Sequence, residues 1–169
     1  KSCESVLTLV DHLSMDGEFT TAAWAVHEAP KDNPVYLRFE SSLMISFDKA
    51  PHVEVPTDAA SRVLQLRIYE SHSIERALMK IQMFNEGGEI DIFRSVGMDP
   101  VFFGQSVIGQ RLPNLTYMLS FENEEAQQKA WKDFLAAPAW NELKGQEQYK
   151  DTVSNITNLI LKPAVSSQI

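Results

Sequence analysis

From residue 62 onward the hydrophobic period switches in a set order, and that order constrains the fold more than any single motif. Residues 61–70, SRVLQLRIYE, alternate. Leu64, Leu66 and Ile68 stand against Gln65, Arg67 and Tyr69, which is the period of a β-strand. Ser71-His72-Ser73 follows, where a hydroxyl can cap a helix. Ile74, Leu78, Ile81 and Phe84 then recur at helical spacing, and the helical reading runs to about residue 96. Gly87-Gly88 lies inside it. Each interior glycine costs roughly 1 kcal/mol against alanine, so the pair marks a kink, a break or a close backbone approach. VFFGQSVIG (101–109) and NLTYMLSF (114–121) read as strands, the second alternating cleanly. Asn123 is placed as a helix cap, with Glu124 and Glu125 in the first turn where the helix dipole favours acids. Ala126, Ala130, Trp131, Phe134 and Leu135 form a stripe, Pro138 ends it, and Trp140–Leu143 give one more turn. Residues 152–162 read as a last strand.

Strand, helix, strand, strand, helix, strand is the split βαβ, ferredoxin-like order of an α+β fold. The same vocabulary occurs earlier in the chain. AWAVHEAP (23–30) parallels AWKDFLAAP (130–138), and each is followed by a Ser/Thr/Asn-bearing aliphatic run, SSLMI (41–45) or TNLIL (157–161). Helical spacing is expected over 4–15 and 20–28. VYLRFESSLMISF (35–47) alternates throughout and is expected to be one long half-buried strand. Residues 1–50 thus read as the back half of a degenerate first ferredoxin-like repeat. Residues 51–61, with two prolines in the surrounding run, read as a linker, and 62–169 as a complete unit. In this reading Trp24 and Trp131 are packing residues that seal a helix to its sheet. An incomplete first unit leaves a strand edge that must pair with the second unit or with another chain.

Composition limits the partners. The net charge of −8, with Lys and Arg scattered, argues against a nucleic-acid partner, whose affinity rests on clustered cations. It argues equally against anionic membrane surfaces. No apolar run approaches the ~18 residues of a spanning helix. The chain begins at Lys1, not Met, so the lack of a leader leaves localisation unknown. Cys3, the single cysteine, can form no internal disulfide. His12, His27, His52 and His72 show no metal-ligand spacing, and no metal site is expected. No nucleophile elbow, phosphate loop or dinucleotide fingerprint is present. NLT (114–116) and NIT (155–157) match the glycosylation sequon by chance, since both fall in expected strands. Gly104 and Gly109 read as bulge or turn residues.

PNLTYMLSFEN (113–123), AWKDFLAAPAWNEL (130–143), VSNITNLILKP (153–163) and the opening LQLRIYE (64–70) resemble, in this order, the NIPSNAP family. Residues 1–60 resemble the degenerate first repeat of bacterial two-repeat members, lacking its first strand and helix. The resemblance implies the dimeric α+β barrel superfamily, in which sheets pack face to face between subunits or repeats and a pocket lies between a sheet and its own helices. It implies a homodimer and little about chemistry. A pocket for a small hydrophobic ligand is expected to be bordered by Tyr69, His72, Phe84, Phe103, Arg111, Tyr117 and Asn155, which mix aromatic, cationic and amide groups. His72 also fits an exposed loop histidine, and the seven residues also fit the core and interface of a tight dimer. Three functions are open: a ligand-binding or assembly module without catalysis, a monooxygenase-type enzyme without a cofactor or with haem, and a purely structural oligomer. Cofactors are unknown. Haem would need an axial histidine, for which His72 is the candidate on the complete unit.

Overall fold

The computed structural model describes residues 3–169. The chain divides into two compact units, Lys1–Glu40 and Ser41–Ile169. The first holds four short helices: α1 (Cys3–Leu7), α2 (Leu9–Met15), α3 (Gly17–Ala22) and α4 (Trp24–His27). Asp16 separates α2 from α3, its carboxylate accepting from the backbone N–H groups of Glu18 and Phe19. No residue of α2, α3 or α4 is buried. Trp24 is 64% exposed.

The long strand expected over 35–47 is reduced to β1 (Leu43–Ser46). Its neighbour supplies the reason. β1 pairs antiparallel with β3 (Asp99–Ile108), and the register runs out where Leu43 meets Ile108. Residues 35–42 therefore have no ladder to join, and alternation without hydrogen-bond partners does not make a strand. β2 (Val63–Glu70), β4 (Asn114–Phe121) and β5 (Asn155–Leu161) complete a five-stranded sheet of order β1-β3-β4-β2-β5, with every pair antiparallel. Without β1 this is the ferredoxin-like order expected from the sequence.

The helix read over 73–96 is two helices, α5 (Ile74–Asn85) and α6 (Glu89–Ser95). The glycine pair breaks it by two mechanisms. A Cβ on Gly87 would lie 2.6 Å from the Met83 carbonyl oxygen. Gly88 has φ +85°, the left-handed region that favours glycine. Ser73 caps α5, its Oγ accepting from the Arg76 N–H at 3.2 Å. The buried face of α5 is Ala77, Lys80, Met83 and Phe84, while Ile74 and Leu78 are exposed. The stripe expected from the sequence is thus rotated around the helix. α7 (Glu124–Ala136) starts at Asn123, whose Oδ1 accepts from the Ala126 N–H at 2.8 Å, and α8 (Pro138–Lys144) follows with proline in its first turn.

The helices cover one sheet face. Phe84, Ile90, Phe93 and Phe134 pack there against Phe103, Leu115, Tyr117, Leu119 and Phe121 in the main core. The opposite face carries a smaller cluster of Leu64, Val101 and Met118, on which Leu66, Phe102 and Ile169 pack. No helix of the described residues is long and apolar enough to cross a membrane.

Candidate functional site

Strand β2 sends alternate side chains to the two faces. Its polar row, Gln65, Arg67 and Tyr69, is the one beneath the helices. Opposite it, β4 presents the apolar row Leu115, Tyr117 and Leu119, with Arg67 paired in register to Tyr117. The polar groups of the helix-side layer therefore gather along β2.

Each of them is held in place. Gln65 Oε1 accepts from the Trp131 indole N–H at 2.5 Å and from Gln127 Nε2 at 3.1 Å, and Gln65 Nε2 donates to Asn158 Oδ1 at 2.7 Å. The Arg67 guanidinium lies 4.4 Å from the centre of the Trp131 ring and 5.3 Å from that of Tyr69. Stacking on a tryptophan face is attractive and holds the guanidinium plane. The Tyr117 hydroxyl donates to the Tyr69 hydroxyl at 3.0 Å. Deeper in the layer, Lys80 Nζ donates to Glu89 Oε2 at 2.6 Å and lies 4.5 Å from the Phe84 ring centre. Both side chains of that pair are almost wholly buried.

Burial governs the titration of these groups. It raises the Tyr117 hydroxyl well above the usual phenol value, and the neighbouring Tyr69 adds to the rise while Arg67 opposes it. Tyr69 is also raised by burial against the pull of Arg67. Glu89 is raised by burial, with Lys80 acting the other way. The phenols thus stay neutral over the physiological range.

Arg67 differs from the rest. Its Nε is buried and finds no acceptor among the described residues. No carboxylate of the described residues forms an ion pair with it. It lines a cleft of about 410 Å³ together with Gln65, Gln127, Trp131, Leu135 and Asn158. A larger hollow of about 620 Å³ lies at the start of α7 beside Arg62 and Lys162, but Lys162 is already paired with Glu124 at 3.1 Å.

The seven residues expected to border a pocket fall into three places. Tyr69, Phe84, Phe103 and Tyr117 meet in the core, with Phe103 and Tyr117 stacked at 4.7 Å. Arg111 and Asn155 converge on Glu70 at the end of the sheet, the Arg111–Glu70 ion pair measuring 3.6 Å and the Asn155 Nδ2 to Glu70 Oε1 bond 2.8 Å. His72 is exposed on the connection after β2. Arg67, Lys80, Glu89 and Trp131 were not among the seven. The signal for Arg67 was present, since Gln65, Arg67 and Tyr69 form one row, but alternation does not say which row faces the helices. Lys80 and Glu89 carried no signal, because a charged residue on a helix reads as solvent-facing.

The NIPSNAP family model matches residues 64–168. None of the curated proteins matches. Among solved structures, an uncharacterized NIPSNAP-like domain protein from Burkholderia xenovorans is 24% identical with a TM-score of 0.58, over 65% of this chain and 91% of that one. A NIPSNAP family protein of unknown function from Agrobacterium tumefaciens is 22% identical with a TM-score of 0.55, over 64% and 94%. A candidate monooxygenase from Fusobacterium nucleatum shares the fold at 7% identity with a TM-score of 0.52, over 93% of this chain and 64% of that one. Four motifs in one order, the strand order they build and a family match over most of the chain agree: the chain belongs to the NIPSNAP family.

Proposed function

We propose that the protein is a non-catalytic assembly module in which two copies pack through the sheet face turned away from the helices. One observation carries this reading. On that face stand Leu64, Leu66 and Ile68 of β2, Phe102, Gly104 and Ser106 of β3, Thr116, Met118 and Ser120 of β4, and Thr157, Leu159 and Leu161 of β5. None is charged. A sheet face that meets water alternates with charged and strongly polar side chains, whereas this one has the character of a packed layer. Leu159 and Leu161 are exposed in the single chain, and Leu66, Ile68 and Phe102 are half-buried. A hollow of about 330 Å³ beside Met44, Pro51 and Phe102 offers a recess for a partner's side chain. A face of this kind is self-complementary under a two-fold axis.

The tandem reading belongs to the same proposal. β1 adds to the edge of β3, as the last strand of a first repeat would. The likeness to the Fusobacterium protein covers 93% of this chain and so reaches beyond the NIPSNAP region. That likeness also favours a second reading, an oxygenase, which oxygen uptake in the presence of oxidisable aromatic substrates would detect.

Sedimentation equilibrium tests the assembly. The expected mass is twice that of one chain. Leu159→Lys, exposed in the single chain, should leave the fold intact and return the mass to one chain. A wild-type chain that stays monomeric over the whole concentration range of the measurement would sink the reading.

A further inference from the structure

Among the described residues, the layer between sheet and helices holds three charged side chains: Arg67, Lys80 and Glu89. Lys80 and Glu89 neutralise each other at 2.6 Å. One positive charge remains, and it is the guanidinium that lines the cleft, with a buried Nε that no described residue accepts from. Buried donors are normally paired, and each one that is not asks for a reason. A guanidinium fork matches the two oxygens of a carboxylate. Here its plane is already held by Trp131 at 4.4 Å, and Trp131 is itself anchored through its N–H to Gln65. Leu135, 57% exposed at the rim, supplies apolar surface beside it. No lysine and no second arginine lines the cleft, so a single negative charge fits it and a phosphate dianion does not.

We propose that this cleft binds a small organic monocarboxylate, the carboxylate on Arg67 and the apolar body against Trp131 and Leu135. The inference is independent of the assembly reading, because the cleft lies on the helix side of the sheet. Acetate and benzoate are the probes, with benzamide as the neutral isostere of benzoate and inorganic phosphate as the dianion. Binding to the full chain is followed by the indole N–H resonance of Trp131, assigned with Trp131→Phe, and by the shift in melting temperature.

Benzoate is expected to move that resonance saturably and to bind at least about tenfold more tightly than benzamide, as a charge-assisted pair requires. Arg67→Gln should abolish the difference and Arg67→Lys should keep part of it. Gln128→Glu, at an exposed position lining the cleft, should weaken benzoate without touching the core and serves if Arg67→Gln does not fold. Equal binding of benzoate and benzamide, tighter binding of phosphate, unchanged binding in either charge variant, or no response to either carboxylate would overturn the proposal.

Discussion

At the scale of single residues, the sheet–helix layer concentrates its polarity on one strand. Gln65 is satisfied on both sides of its amide, and Tyr117 donates to Tyr69. The raised phenols make a sign-defined prediction. A group whose folded pKa lies above its unfolded one contributes stability that is complete below the unfolded value and is lost as pH rises past it. Tyr69 and Tyr117 rise from about 10, so their contribution should hold up to that pH and fail above it. Of the four tyrosines, these two should give tyrosinate absorbance only as the protein unfolds. Absorbance at the tyrosinate band and circular dichroism, followed together in an alkaline titration, check this. Tyr117→Phe should delay the alkaline transition. Tyr69 or Tyr117 titrating reversibly in the native state at the ordinary phenol value would refute it.

At the scale of elements, two features tie α5 to α6. The Lys80–Glu89 pair joins the helices through the core. Removing one partner leaves the other charged and buried, which typically costs about 3–5 kcal/mol. Lys80→Met and Glu89→Leu should each show a loss of that order in urea denaturation. The double variant should recover most of it, since apolar replacement of a buried pair is often near neutral. If the two losses simply add, the pair is not the link. The hinge between the helices is the second feature. Gly88→Ala forces a non-glycine residue into the left-handed region and should cost about 1–2 kcal/mol. Gly87→Ala meets the Met83 carbonyl instead, a clash with backbone that cannot swing aside, and should cost more. An equal, small effect at both positions would contradict the two separate roles.

At the scale of the molecule, the sheet has two apolar faces but one layer of helices. The apolar centre of the second face, with charges only at its ends, is the basis of the proposed pairing of two copies. Because association stabilises the folded state by mass action, the melting temperature should rise with protein concentration, and Leu159→Lys should flatten that dependence. A melting temperature that is constant over a wide range of concentration, with the wild-type chain, would speak against pairing. The net charge of −8 keeps such an assembly from growing by unspecific contact.

Alternation, helical spacing, the caps at Ser73 and Asn123 and the glycine break are local properties, so the order of elements from residue 62, and with it the sheet order, could be read from the chain alone. The limits of β4 were read to the residue, because its alternation is unbroken and a turn precedes it. The rest depended on partners distant in sequence. Residues 35–42 alternate as well as any strand but lack a neighbour to bond, since β3 ends opposite Leu43. Alternation in β2 defines two faces and cannot choose between them. Only packing against Trp131 and Phe84 turned Gln65, Arg67 and Tyr69 inward and Leu64, Leu66 and Ile68 toward the second face. The same packing rotated the buried face of α5 away from Ile74 and Leu78 and onto Lys80, where a charge is stable only because Glu89, on another helix, meets it. Periodicity is a property of a segment. Which side of that segment is dry is set by what the rest of the chain lays over it, and the charge left without a partner, Arg67, becomes visible only then.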